Sequence, residues 1–276
     1  MSAIGVLFVG ALGLIIGSFL NVVVMRHNTG RSILGRSGCL SCGDTLPAYA
    51  LIPVLSWIFL RGYSACCETR ISLQYPIVET ATGVSFAVIA LSGQGIIASA
   101  LLCAFAAIMI AIAAYDIRHT IIPDEWVYSA SVLAVAYQAM MYPPREFADV
   151  LWMVFAGVIV AVPFYALWVM TRGRGIGLGD AKLALSAGFL LGLANGFLVA
   201  ALSFVIGALV SVFVLLPLPH YRRALVSCGI LARGGNAGFT MKSEIPFGPF
   251  LIAGIFILWF IMAFYGEGFA LALFQI

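Results

Sequence analysis

Long, nearly uninterrupted apolar runs, separated by short polar clusters, fill most of this chain. A helix needs about 20 apolar residues to cross the hydrocarbon of a bilayer. Windows of that kind fall at roughly 3–25, 76–93, 96–115, 127–142, 150–170, 181–197, 198–217 and 249–266. The sixth and seventh form one run, interrupted at Gly192, Asn195 and Gly196. A single helix of that length would overshoot the membrane, so the pattern predicts a tight re-turn there. The expected fold is an all-α polytopic membrane protein with about eight transmembrane helices.

The polar pattern divides the chain into transmembrane helix 1 at 1–25, an insert at 26–75, and a membrane core at 76–276. The core carries loops at 116–126, 171–180 and 218–248. Within the insert, Ala48–Leu60 is apolar and holds Trp57, yet is too short to span. It is expected to lie along the membrane interface or to cap the insert. The Gly-x-x-x-Gly pairs Gly13/Gly17 and Gly188/Gly192 read as close packing between helices of one chain. The oligomeric state stays open.

Composition agrees: 63% of residues are hydrophobic, 9% are charged, and mean hydropathy is +1.11. Soluble domains carry roughly 25% charged residues, which excludes that class. Of 14 Lys and Arg, only Arg145 falls on one side of the predicted topology. The other bases share the opposite face, which the positive-inside rule makes cytoplasmic. Both termini are then extracytoplasmic, and the insert is cytoplasmic. No base precedes Arg26, so the first span reads as a retained helix and not a cleaved signal. The small net charge of +3 gives no reason to expect a nucleic-acid partner.

Against this apolar background, Asp116 closes the third span and Asp180, in Gly177-Leu-Gly179-Asp180, opens the sixth. A carboxylate within hydrocarbon costs ~2.5 kcal/mol or more, so acids there mark function. Two converging carboxyls cannot both ionise readily and share a proton. One then serves as base toward water while the other donates to a substrate carbonyl, the chemistry of acyl hydrolysis. Helix capping is the competing reading. It is weaker for Asp116, which stands at a C-terminal end where the helix dipole opposes a carboxylate. Gly173, Gly175, Gly177 and Gly179 suit an extended segment that a substrate backbone can approach. Asp124, after Pro123, is expected to cap the fourth span, and it rivals Asp116 as partner of Asp180.

Supporting or substrate-binding candidates are Gly177, Gly179, Lys182 beside Asp180, Glu79 inside the second span, and Glu244 in the last loop. Glu79 needs a polar partner at that depth. Glu244 would meet a basic substrate or remain a solvated loop charge. His27, His119 and His220 are scattered across different loops and read as solvated. Cys39-Leu-Ser-Cys42 has metal-ligand spacing, and Cys66-Cys67 follows in the same insert. A structural zinc on Cys39, Cys42, Cys66 and Cys67 competes with reduced, unliganded thiols, since cytosolic disulfides are disfavoured.

Several stretches taken together resemble the type IV prepilin peptidases, membrane-embedded aspartic proteases. They are Gly17-Ser-Phe-Leu-Asn21-Val-Val, Tyr75-Pro76-Ile-Val-Glu79, Asp116-Ile-Arg-His-Thr-Ile-Ile-Pro123-Asp124, Gly177-Leu-Gly179-Asp180-Ala-Lys182 and Pro246-Phe-Gly248-Pro249-Phe. The resemblance implies removal of a short basic leader from prepilins or pseudopilins, after a Gly, on the cytoplasmic side of a bacterial inner membrane. It implies Asp116 and Asp180 as the catalytic pair, with Asp124 in support, and no cofactor for proteolysis. A second family activity, methylation of the new N-terminus with S-adenosylmethionine, goes with the cysteine insert. There the family often carries Cys-x-x-Cys after Arg-Gly; here Arg61-Gly62-Tyr-Ser64-Ala-Cys66-Cys67 puts Ser64 at the first ligand position. A presenilin-like intramembrane protease and, in another class, a proton-coupled transporter are the alternatives. The first lacks its Pro-Ala-Leu motif here, and the second lacks an internal repeat.

Overall fold

In hydrocarbon an unpaired backbone amide costs several kcal/mol, and a helix satisfies its amides within one segment. The apolar runs accordingly fold as helices in the computed structural model, which describes residues 2–30, 32–33, 35–39, 41–215 and 246–266. The helices are α1 (Ala3–Arg26), α2 (Leu55–Phe59), α3 (Gln74–Leu91), α4 (Ile96–His119), α5 (Asp124–Met141), α6 (Phe147–Thr171), α7 (Leu178–Val210) and α8 (Gly248–Tyr265). No strand forms among the described residues; two isolated bridges lie in the insert. Five helical segments are long and apolar enough to cross a membrane: α1, α4, α6, the α7 run through Phe213, and α8. Helices α3 and α5 have 18 residues each and are less apolar.

Helix α4 is central, packing against α1, α3, α5 and α8, with Phe105, Met109 and Ile112 fully buried. Between helices in lipid no hydrophobic force operates, so close backbone approach and polar bonds hold them together. The glycines supply the first. Side-chain carbons on Gly13 and Gly17 would lie 2.8 Å from the Thr82 carbonyl oxygen and 2.7 Å from the Glu79 α-carbon, which fastens α1 to α3. Polar bonds supply the second: the Ser131 and Ser186 hydroxyls meet at 2.9 Å between α5 and α7.

The interrupted sixth and seventh runs do reverse. Gly192 takes φ +77°, a conformation open to glycine, and breaks α7 there. A side-chain carbon on Gly196 would lie 3.2 Å from the Gly188 α-carbon. In a straight helix those residues would be about 12 Å apart. Gly188 abuts Gly157 of α6, Gly196 abuts Val160, and Phe204 stacks on Phe164 with centroids 6.0 Å apart. The second half of α7 therefore returns along α6 toward the end where the first half began. Of the two Gly-x-x-x-Gly pairs, Gly13/Gly17 both make close contacts, while Gly192 serves only the turn.

A methyl group at position 188 would sit 2.6 Å from the Gly157 α-carbon and 2.7 Å from the Ala156 carbonyl oxygen. Backbone cannot yield as a side chain can. Gly188→Ala is therefore expected to destabilise the protein by about 1–3 kcal/mol. A lowered melting temperature in detergent, beside an unchanged Gly95→Ala control, would show it.

Candidate active site

Asp116 stands in the last turn of α4 and is only 4% exposed. Thr120, in the left-handed region at φ 53°, ends that helix and donates its N–H to the Asp116 carbonyl at 2.7 Å. Asp180 is the third residue of α7 and 6% exposed. Its Oδ2 accepts the Gly177 N–H at 3.1 Å. Gly177 is the helix N-cap and has no side chain to return the bond, so only this half of a capping box can form. One carboxyl thus sits at a negative helix end and the other at a positive one.

The two carboxyls lie within electrostatic reach of each other. A single apolar side chain organises the space around them. Ile122, in the α4–α5 loop, has its Cβ 2.9 Å from where a side chain on Gly179 would begin. Its Cδ1 is 3.2 Å from the equivalent point on Gly248. That point on Gly248 is also 2.6 Å from Oδ2 of Asp116. The Oδ2 atom is buried and meets no donor in hydrogen-bond geometry, although the Gly248 backbone amide lies close to the carboxyl. An orphaned buried carboxyl oxygen is costly, and it is poised to bond an incoming reactant. Gly179 lies inside the first turn of α7, not in an extended segment as its alternation with other glycines suggests.

The rival acid has gone elsewhere. Asp124 is the first residue of α5, with Pro123 as N-cap, so it does not cap the helix as its position in sequence suggests. Its side chain is 54% exposed and holds Lys182 Nζ at 2.7 Å through both oxygens. Lys182 therefore serves Asp124, and α7 is tied to α5 at the rim of the site. Glu79 is buried and accepts the backbone N–H of Val54 at 2.7 Å, which joins α3 to the insert. Glu244 lies outside the described residues.

Two of the three histidines lie closer together than their spacing implied, while His220 lies outside the described residues. His27 at the end of α1, His119 at the end of α4 and Trp126 in α5 gather around Tyr115, the neighbour of Asp116. Ring centroids lie 5.3 Å (His27–Tyr115), 4.4 Å (Tyr115–His119) and 5.5 Å (Tyr115–Trp126) apart. Sequence reasoning also missed Ile122, which nothing distinguishes from the other isoleucines. Gly248 was visible only as part of its proline-flanked motif.

The four insert cysteines converge, with all their Sγ atoms within 4.8 Å of one another. Two tight turns present them. One is closed by Cys39 N–H to the Asp44 carbonyl at 2.8 Å, the other by Ser64 N–H to the Thr69 carbonyl at 2.8 Å. Glu68 at φ 53° bends the second turn enough for both adjacent cysteines to face inward. Sγ separations are 3.5 Å for Cys39–Cys67, 3.2 Å for Cys42–Cys66 and 3.8 Å for Cys66–Cys67. Ser64 is buried beneath the cluster, its hydroxyl 3.5 Å from Cys39 Sγ and 3.2 Å from Cys66 Sγ. Hydrogen bonds from that hydroxyl and from the Cys42 and Ser41 backbone hold the Cys39 thiol down to about 5. The Thr69 hydroxyl likewise lowers the Cys67 thiol.

The prepilin leader peptidase/N-methyltransferase of Pseudomonas putida is 30% identical over 280 residues, covering 90% of this chain and 88% of that one. The chain matches the type IV leader peptidase family over residues 103–212 and the bacterial peptidase A24 N-terminal domain over residues 11–92. It belongs to the type IV leader peptidase family. Membership makes the chain a peptidase, carried on membrane-type helices. Similarly named relatives are 34% identical in Dickeya chrysanthemi, over 70% of this chain and 77% of that one. In Burkholderia pseudomallei strain 1026b the figure is 31%, over 90% and 82%. No solved structure gives a significant match. The leader peptidase match contains Asp116, Asp124, Asp180 and Lys182; the N-terminal match contains Glu79 and the four clustered cysteines.

A methyl group on Gly248 would press on the Asp116 carboxyl. Gly248→Ala is expected to slow leader peptidase turnover by about tenfold, or ~1.4 kcal/mol of barrier. Cleavage kinetics on the purified variant would measure it.

Proposed function

We propose that this chain is an aspartic endopeptidase that cuts the leader from prepilins or pseudopilins at the cytoplasmic boundary of the inner membrane. The observation that carries this reading is that two buried carboxyls, one in the last turn of α4 and one in the first turn of α7, lie within reach of each other's charge. The relatives' name supplies the substrate class. In the proposed reaction Asp116 and Asp180 hold one proton between them. The ionised carboxylate takes a proton from water, and the resulting hydroxide attacks the scissile carbonyl. The protonated carboxyl donates to the carbonyl oxygen, giving a neutral tetrahedral intermediate. Collapse returns a proton to the leaving amine and restores the shared-proton pair. Gly179 gives Ile122 its seat beside Asp180, and Gly177 donates its amide to the Asp180 carboxyl. Asp124 and Lys182 brace the rim through their ion pair.

The membrane arrangement we propose has eight spans, counting α3, α5 and the two halves of α7. Both termini are extracytoplasmic, and the dyad faces the cytoplasm. The reversal at Gly192 supports that count, and the Lys and Arg distribution supports the orientation. The substrate helix then stays in lipid while its leader reaches the boundary.

The insert fits a structural zinc. Four thiols within 4.8 Å of one another, with three of their pairs at 3.2–3.8 Å, suit tetrahedral ligation, in which Zn–S bonds of about 2.3 Å place sulfurs some 3.8 Å apart. Cys39, Cys42, Cys66 and Cys67 would hold the ion, which would fix the two turns and take no part in proteolysis. The relatives' name also includes an N-methyltransferase, for which S-adenosylmethionine would be the methyl donor. Among the described residues no Gly-rich turn followed by an acidic ribose ligand cradles it, and methylation stays outside the proposed reaction.

Co-expression with a prepilin tests the dyad. Asp116→Asn and Asp180→Asn should each abolish leader removal, whereas Asp124→Asn should retain it. Continued cleavage in either of the first two would sink the assignment. Metal analysis of protein purified without added zinc is expected to give about one zinc per chain. Cys66→Ser should lower that content markedly, and a content below one per two chains in the parent protein would count against the site.

A further inference from the structure

The insert carries an apolar surface that neither the dyad nor the cysteine cluster uses. Tyr49, Ile52, Leu55, Ile58 and Phe59 are all exposed, with Phe59 at 80%. They occupy a short 3-10 turn, Ala48–Leu51, its C-cap Ile52, and the five-residue helix α2. Scattered apolar residues on a surface mean little, but five crowded into eleven positions form a patch that marks an interaction.

What covers the patch follows from where it is tied. Val54, the N-cap of α2, donates its N–H to Glu79 Oε2 at 2.7 Å. Glu79 lies five residues into α3, about 7.5 Å along a helix that enters the apolar zone at Gln74. Its side chain leans back toward the helix start, so Val54 is held at the depth of the first turns of α3. At that level Glu79 also faces Gly17 and Ser18 of α1, well short of the basic end of that helix at Arg26. Val54 itself takes φ 60°, ψ −49°, a conformation a β-branched residue accepts only where its surroundings impose it. The chain is thus pulled down from the cytoplasmic insert to the level of the bilayer edge.

The neighbouring surface continues the same character. Leu73 and Ile77, at the start of α3, are exposed and apolar. No acid occurs between Asp44 and Glu68, while Arg61 directly follows α2 and Arg70 lies over the Tyr63 ring at 5.7 Å. Trp57 sits within the segment and bonds the Ile71 carbonyl at 3.3 Å. Apolar side chains below, arginines and aromatic rings above, and no acids suit the interfacial zone of a membrane.

We infer that residues 49–59 form a foot embedded in the cytoplasmic leaflet, with phospholipid as the occupant of the exposed patch. The foot is too short to span and lies in the headgroup–acyl boundary. It fixes the height of the cysteine turns above the bilayer, with the Val54–Glu79 bond as its tether to the peptidase bundle.

The inference rests on the membrane arrangement proposed above, and leader cleavage by the same proteoliposomes reports separately on that reading. The test uses the full chain reconstituted in phosphatidylglycerol-containing vesicles. Phe59→Trp adds a fluorophore at an exposed position, and Ile58→Trp repeats the measurement should the first variant prove unstable. The added emission is expected to be quenched about twofold more by lipid brominated near the headgroup than by lipid brominated at the chain ends. Red-shifted emission untouched by either lipid would put the segment in water and overturn the proposal. Blue-shifted emission untouched by either lipid would assign the patch to a protein, whether a second copy or another partner, and overturn it equally. Stronger quenching by the deep bromines would replace the foot with a penetrating segment.

Discussion

Keeping two buried carboxyl groups within reach of each other's charge, at the ends of two apolar helices, is the constraint on which this structure turns. Each would be expelled to water if its helix could slide or tilt. Close contacts around the α4–α5 loop oppose this: Gly179 of α7 and Gly248 of α8 sit on Ile122, and Gly248 sits on Asp116 itself. The unfavourable helix-end position of Asp116 is offset by packing, while Asp180 gains from its helix start and the Gly177 amide.

The same economy of small residues recurs away from the site. Helix α1 rides on α3 through Gly13 and Gly17, α6 rides on α7 through Gly157 and Gly188, and Gly254 leaves space for Ser203. Backbone-to-backbone contact fixes depth as well as distance. Depth matters here, because an acid displaced by one helical turn would move about 5.4 Å into or out of the apolar zone.

Much of this was legible in the sequence, for physical reasons. Asp116 and Asp180 stand out because charge is so rare beside apolar runs, and the break at Gly192 because a single helix of that length overshoots a bilayer. What stayed hidden depends on contacts distant in sequence. Nothing local announces that Lys182 would choose Asp124 over Asp180, its neighbour in sequence, since that choice depends on α5 crossing α7. The Cys66-Cys67 pair departs from the family's Cys-x-x-Cys spacing, and only the fold, with its left-handed turn at Glu68, brings both sulfurs to the cluster. Glu79 clearly needed a partner, but a backbone amide from a strained valine leaves no mark in a sequence. Family resemblance alone separated Asp116 from Asp124 in the sequence; in the fold Asp116 is buried, whereas Asp124 is exposed and paired with Lys182.

Ile122 gives the site an unusual division of labour. In the proposed reaction the acids carry the proton, while the space beside them is filled by a hydrocarbon that has no proton to lose. Acidifying or alkalinising the medium changes the charge on the reacting groups without loosening the wedge beside them. Geometry and protonation are thereby separate variables, and a branch point or methylene at one apolar loop position can tune the first while the second is left alone.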